Sequence, residues 1–268
     1  MPTQSVERAM FILRQFSVDE PQLGVSEVSR RIGLTKSTVS RLLATLREGG
    51  LVVQDPINRQ YRLGMGLVEL GETVVHSDPL LRAVHPYQHY LADAVGEGVY
   101  LAVRSGFEML TLLHERPPDL RDPVPWTSRA PLHCTAGGKI LLAHMEEDEL
   151  TTLLEKGLPR FTGNTITDPA KLREELELVR EQGFGTCFEE FREGVNSISV
   201  PLAKQDGTVI ATLGMVGPAY SLTREKAMRS LETLRGIATE ISLKMRPLLR
   251  EADHPWTWHT TGTNPAPA

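Results

Sequence analysis

The chain has 268 residues, of which 40% are hydrophobic, 24% charged and 6% aromatic, proportions that suit a soluble globular protein and exclude wholesale disorder or collagen-like repetition. Its formal net charge is −5, which taken as one number speaks against a nucleic-acid ligand. No run approaches the roughly 18 apolar residues of a membrane span, and MPTQSVERAM lacks a basic-then-apolar leader pattern, so a cytoplasmic protein with no membrane partner is expected.

The charge is unevenly spread. From Arg30 to Arg62, seven basic residues (Arg30, Arg31, Lys36, Arg41, Arg47, Arg59, Arg62) face only Glu48 and Asp55, so the acidic chain contains a basic segment. Ahead of it, Val6, Ala9, Met10, Leu13 and Phe16 recur at helical spacing and predict a first helix with this face in the core. Ser26 is expected to cap a short second helix carrying Val28 and Ile32, stopped by a left-handed turn at Gly33. A third helix follows almost at once, with Thr35 as N-cap, Leu34 and Val39 as a hydrophobic staple, and Val39, Leu42, Leu43 and Leu46 as one apolar stripe. This spacing is that of a helix-turn-helix.

At 100° per residue the stripe lies opposite Ser37, Arg41 and Ala44, flanked by Ser40 and Thr45, with Lys36 at the helix start. Small and basic residues on that face suit insertion into a DNA major groove, where Arg and Ser reach base edges or phosphates. Gly49-Gly50 ends the helix. LVVQD and QYRL then predict two strands around Pro56-Ile57-Asn58-Arg59, a wing with Arg59 and Arg62 placed for phosphate or minor-groove contact. A winged-helix module used only for protein contacts is the alternative. The expected DNA-contacting set is Ser26, Arg31, Lys36, Ser37, Thr38, Ser40, Arg41, Arg59 and Arg62.

SVERAMFILRQF, GLTKSTVSRLLATLREGGLV and QYRLGMGLVELG, followed by PLHCTAGGKILLA, TITDPAKLREELELVREQGF and EEFREGVNSISVPL through VGP, resemble the IclR family of bacterial transcriptional regulators over roughly residues 5–248. The resemblance implies an α+β chain: a winged helix-turn-helix (1–64), a linker helix (65–77), a GAF/PAS-like α/β effector-binding domain (78–250) and a flexible tail (251–268). It also implies double-stranded, palindromic operator DNA, a small-molecule effector, and a homodimer or a tetramer built as a dimer of dimers, with Val68, Leu70 and Val75 of the linker as dimer contacts.

Beyond the linker, the pattern predicts a helix over 80–95, a strand pair in VYLAVR and EMLTLLHE, and a Pro-rich loop from Arg116 to Pro131 containing Trp126, and the resemblance implies a lid from Trp126 to His133. Helices are expected in AGGKILLAHM, over 146–155 and 168–182, then strands in GTCFEE, SISVPLA and TVIATLGMVG, and a closing helix over 224–249. In the resemblance, the effector pocket is formed by Trp126, Ala136, Gly137, Cys187, Val195, Ser197, Gly214 and Val216. Amides at the start of the Ala136 helix would suit a carboxylate, although tight helix–sheet packing explains AGGK equally. Relatives that bind small oxo-acids carry an Asp, a Cys and two Ser where this chain has Cys187, Ser197, Gly214 and Val216. Gly214 is expected to open volume and Val216 to add apolar contact, giving a larger, partly apolar effector such as an aromatic acid.

Enzyme chemistry is not expected. His133 beside Cys134 lacks an orienting carboxylate. Glu189-Glu190 with His114, His133 or His144 lacks metal-ligand spacing, so neither cofactor nor metal is implied. Cys134 and Cys187 form no CxxC pattern and are read as free thiols.

Overall fold

Three helices and a two-stranded wing build the N-terminal unit in the computed structural model, which describes residues 3–17, 20–117 and 129–250, the last five for backbone only. They are α1 (Gln4–Leu13), α2 (Val25–Ile32), α3 (Lys36–Glu48), β1 (Val52–Gln54) and β2 (Tyr61–Leu63). Ile12, Val28, Val39, Leu43 and Val52 are fully buried and form one small core with Phe16, Leu23, Leu46 and Tyr61. The α3 stripe is therefore inward as its spacing predicts. The inward face of α1 differs: Ile12 anchors it, with Ala9 and Leu13 packed alongside, whereas Val6 and Met10 are about half exposed. Helical spacing fits two overlapping apolar sets, and contact with α2 and α3 on one side selects between them.

Gly24, not Ser26, is the N-cap of α2, which starts two residues earlier than Ser26 capping requires. Gly33 ends α2 at φ 66°, a left-handed conformation that costs glycine nothing, and Thr35 then caps α3 by accepting from Thr38 N at 3.3 Å. The wing is fastened to the core because Leu23 and Tyr61 exchange backbone hydrogen bonds of 2.9 and 2.8 Å. Helix α4 (Gly66–Ser77) follows and has no buried residue, although Met65, Val68, Leu70 and Val74 are apolar.

Pro79 opens the second unit. It contains α5 (Pro79–Val95), β3 (Gly98–Ser105), β4 (Glu108–Glu115), β5 (Arg129–Pro131), α6 (Ala136–Ala143), α7 (Glu147–Glu155), α8 (Pro169–Gln182), β6 (Gly185–Phe188), β7 (Val195–Ala203), β8 (Val209–Pro218) and α9 (Arg224–Arg250). The strands form one antiparallel sheet in the order β5-β4-β3-β8-β7-β6. Alternation along the strands sends Leu101, Leu213, Met215, Ile198 and Val200 to the face covered by α5 and α9. Tyr100, Ala102 and Met109 face the opposite side, in the core built with α6, α7 and α8. Helix α8 shows its expected start, with Asp168 Oδ1 accepting from Ala170 N and Lys171 N at 2.8 and 3.2 Å and Pro169 at the first position. Strand β5 was not expected: three residues of a Pro-rich loop pair with β4 as an edge strand, too short to show a period. Trp126 and the 251–268 tail lie outside the described residues.

Candidate functional site

The outward face of α3 carries Lys36, Ser37, Ser40, Arg41 and Thr45, all exposed, while Thr38 is half-buried beside the cap. Among the described residues no carboxylate lies in ion-pair range of Lys36, Arg41, Arg59 or Arg62. Arg31 and Arg30 differ. Arg31 binds Glu20 at 2.7 Å and Glu27 at 2.5 Å, and Arg30 binds Glu27 at 2.8 Å. These guanidiniums hold the Glu27 and Glu20 carboxyls below the usual range. The basic segment read from the sequence is thus partly neutralised by acids lying just upstream of it. Arg31 fastens α2 to the preceding loop instead of presenting a free cation, and Ser26, exposed on α2, makes no cap.

The wing tip is stiff. Asp55 Oδ1 accepts from Ile57 N at 2.7 Å and Asn58 N at 3.2 Å, Asn58 Oδ1 accepts from Gln60 N at 2.9 Å, and Gln54 Nε2 donates to the Arg59 carbonyl at 3.1 Å. Arg59 itself adopts φ 61°. Arg59 and Arg62 are both exposed on this rigid hairpin, so the ordering entropy of a flexible loop is not added to any contact they make.

In the second unit, strand register brings the sequence-predicted effector residues together. Cys187, Ser197 and Val216 are successive cross-strand partners, and Val216 in turn faces Gly98. Two residues along lies the parallel row Gly185, Ser199, Gly214, Tyr100 and His114. Both rows share the face on which the start of α6 rests. Val195 begins β7, half-buried, at the end of the same strand. Cys187 Sγ donates to the Cys134 carbonyl at 3.1 Å.

Two expectations change here. Gly214 does not open volume, because a Cβ there would lie 2.1 Å from Ser199 Oγ and 2.6 Å from the Tyr100 ring: the phenol occupies the space. Ala136 and Gly137 are wholly buried, and a Cβ on Gly137 would meet Thr212 Oγ1 at 2.6 Å, so close helix–sheet packing is sufficient reason for the glycine. Tyr100, Ser199 and Thr212 were missed. The Tyr100 hydroxyl lies 2.5 Å from Ser199 Oγ, and burial pushes the phenol up to about 12 despite that hydrogen bond. Thr212 Oγ1 is buried with no hydrogen-bond partner among the described residues. In the sequence Tyr100 looks like one more strand former in VYLAVR, and only alternation combined with cross-strand register reveals its neighbours.

The side chains weighed for catalysis or metal binding have other partners among the described residues. Burial pushes the Cys134 and Cys187 thiols up, the reverse of what an activated nucleophile needs. His133 Nε2 pairs with the Pro159 carbonyl at 3.0 Å and His144 Nδ1 with the Ile140 carbonyl at 2.9 Å. No group of three metal-ligating side chains occurs among the described residues. Glu190 instead binds Lys139 at 2.7 Å, and Lys139, 1% exposed, also reaches Glu175 at 2.8 Å. No helix among the described residues is long and apolar enough to cross a membrane.

A winged helix-turn-helix followed by an antiparallel sheet domain covered by helices on both faces defines a DNA-binding transcriptional regulator with a second, regulatory domain. The sequence profile of the IclR helix-turn-helix domain matches residues 5–56, and that of the bacterial transcriptional regulator IclR C-terminal domain matches residues 72–243. The chain belongs to the IclR family of bacterial transcriptional regulators. It is 33% identical over 241 residues to the HTH-type transcriptional repressor AllR of Salmonella paratyphi A, covering 89% of each protein. Identity to AllR of Escherichia coli K12 is 32% over 250 residues, 91% of this chain and 92% of that one. Among solved structures, an IclR transcriptional regulator from Alicyclobacillus acidocaldarius aligns with TM-score 0.85 and 26% identity over 91% of this chain and 100% of the other. An IclR homolog from Microbacterium hydrocarbonoxydans complexed with 4-hydroxybenzoate aligns with TM-score 0.80 and 28% identity over the same shares. These relatives are transcriptional regulators, not enzymes.

Proposed function

We propose that the chain is a repressor that binds a palindromic operator as a dimer or a dimer of dimers and is controlled by a partly apolar organic acid, aromatic in type. The observation that carries the effector reading is the buried group of Tyr100, Ser199 and Thr212 hydroxyls beside Val216 and Met109 on one sheet face. A fixed phenol and two hydroxyls suit a carboxylate or ring hydroxyl, while the apolar neighbours suit a ring. The 4-hydroxybenzoate complex of the Microbacterium homolog supports this class. Ala136, Gly137, Cys187, Val195, Ser197 and Gly214 then serve mainly to shape and close the site, and Trp126 is proposed as its lid. A thermal-shift screen of the full chain tests the reading. At about 100 times its Kd, an aromatic acid adds about 2.7 kcal/mol of stability, roughly 5–10 °C. Tyr100→Phe combined with Ser199→Ala should abolish most of that shift. Stabilisation by glyoxylate or pyruvate, and by no aromatic acid, would overturn it.

For DNA, Lys36, Ser37, Thr38, Ser40 and Arg41 are the proposed groove-reading set, with Arg59 and Arg62 on the wing contacting phosphate or the minor groove. Dimerisation is proposed through the apolar residues of α4, of which Val68, Leu70 and Val74 are 44–58% exposed in the single chain and Val75 half-buried. Two recognition helices then stand about 34 Å apart, or a multiple of it, to engage successive major grooves. The double variant Leu70→Asp/Val74→Asp should run as a smaller species by light scattering and bind a half-site as strongly as the full palindrome. An unchanged mass would refute α4 as the interface.

A further inference from the structure

Arg47 is the last cation of α3, exposed in its final turn and outside the groove-reading set. Its Nη1 donates to Gln54 Oε1 at 3.3 Å, and Gln54 Nε2 donates in turn to the Arg59 carbonyl at 3.1 Å. One side-chain amide thus ties the end of α3 to the tip of the wing, and its two partners fix the amide's orientation. Alternation along β1 explains the direction. Gln54 shares its face with the fully buried Val52 and is turned inward toward α3, while Val53 and Arg62, paired across the hairpin, take the other face. The wing end of the link is equally fixed: Arg59, at φ 61°, donates its own N–H to the Asp55 carbonyl at 3.1 Å.

What Gln54 does to Arg47 differs from what Glu20 and Glu27 do to Arg31. A carboxylate partner cancels the charge that it orients, whereas a neutral amide orients a guanidinium and leaves its charge whole. No carboxylate among the described residues lies in ion-pair range of Arg47. The Gln54 bond uses one of the five guanidinium N–H groups and leaves others for a second acceptor.

Position along the helix selects that acceptor. Arg47 lies about three turns beyond Lys36, so the two cations stand on one side of α3, about 16 Å apart along its axis. Where a recognition helix occupies the major groove and a wing meets the flanking minor groove, one phosphate strand runs between the two elements. A cation bridged from helix to wing lies over that strand. We propose that Arg47 is a further DNA-contact residue, which Gln54 positions on the phosphate strand between α3 and the wing. The inference rests on the placement of α3 and the wing proposed above.

Phosphate contact is read by anisotropy titration of the full chain with a labelled mixed-sequence duplex of about 30 base pairs, between roughly 50 and 200 mM salt, since charge neutralisation carries non-specific binding. Arg47→Ala should lower the slope of log affinity against log salt by about one, so that the affinity lost across this range shrinks about 3.5-fold. Arg47→Lys should restore the slope. Gln54→Met keeps the charge and removes its support. It should weaken binding about threefold at every salt concentration with the slope intact, because a free arginine side chain must then be ordered on contact. Arg82→Ala, exposed on α5 in the other unit, controls for net charge and should change neither quantity. Lys36→Ala and Arg59→Ala separate the inference from the placement beneath it. If they lower the slope and Arg47→Ala does not, the inference falls and the placement stands; if none of the three lowers it, both fall. A shifted melting temperature with an unchanged slope for Arg47→Ala would reduce the Gln54 bond to a structural tie, and undiminished binding by Gln54→Met would overturn the positioning.

Discussion

Replacing Arg41 by alanine should weaken operator binding by about 1–3 kcal/mol, roughly 5- to 150-fold, and should flatten the preference for operator over random DNA. Arg41 is exposed on the face of α3 opposite the buried Val39, Leu43 and Leu46, with small neighbours at Ser37, Ala44 and Thr45 that let the helix approach base edges. No carboxylate among the described residues competes for its guanidinium. Lys36 stands at the start of the same helix and is proposed as a phosphate contact. Lys36→Ala should therefore reduce affinity almost equally on all sequences and lower the salt slope by about one. Titrations by fluorescence anisotropy at several salt concentrations, on operator and scrambled duplexes, separate the two effects. Equal losses on both duplexes for Arg41→Ala would refute a reading role. Arg31→Ala is the informative contrast: it breaks the Glu20 and Glu27 pairs, so its effect should appear in the stability of the N-terminal unit before it appears in the salt slope.

The second large effect is expected at Lys139. Its ammonium is buried against Glu190 and Glu175, and removing it leaves the largely buried Glu190 carboxylate without its counter-ion. Lys139→Ala should cost about 3–5 kcal/mol, on the order of 10 °C in the melting temperature of the second unit. Burial alone would lower the Lys139 pKa, but Glu190 and Glu175 together outweigh it and leave the value raised. The sign of the pH dependence follows: this contribution is complete at neutral pH and is lost only as the pH climbs above 10.5, the ordinary lysine value. Lys139→Met with Glu190→Gln should recover much of the loss, since an apolar side chain and a neutral amide need no counter-ion. Urea denaturation checks both variants. A loss below about 1 kcal/mol for Lys139→Ala would mean that water reaches the site and the pair is a surface ion pair in energetic terms.

Local patterns carried much of this architecture. The Thr35 cap, the Leu34–Val39 staple and the α3 stripe all involve residues within a dozen positions of each other, so periodicity and capping chemistry suffice to place them. The same holds for the turn at Gly33 and the Asp168-Pro169 start of α8. Where the reading failed, two local solutions were equally good or the signal was too short. Val6 and Met10 fit a helical face as well as Ile12 does, and β5 has only three residues.

The sequence by itself determined a DNA-binding module with a wing, and the division into a reader and a regulatory domain, because those rest on contacts between near neighbours along the chain. The opening net charge of −5 concealed that module until it was resolved by position. Only the tertiary structure decided which cations are free to meet DNA, since Glu20 closes on Arg31 from eleven residues away. It likewise decided the packing at the proposed effector site, where Tyr100 fills the space that Gly214 alone would open and meets Ser199 across 99 positions of sequence. Hydrogen bonding and exclusion of volume between strands act through register, and register is a property of the folded sheet that no single segment contains.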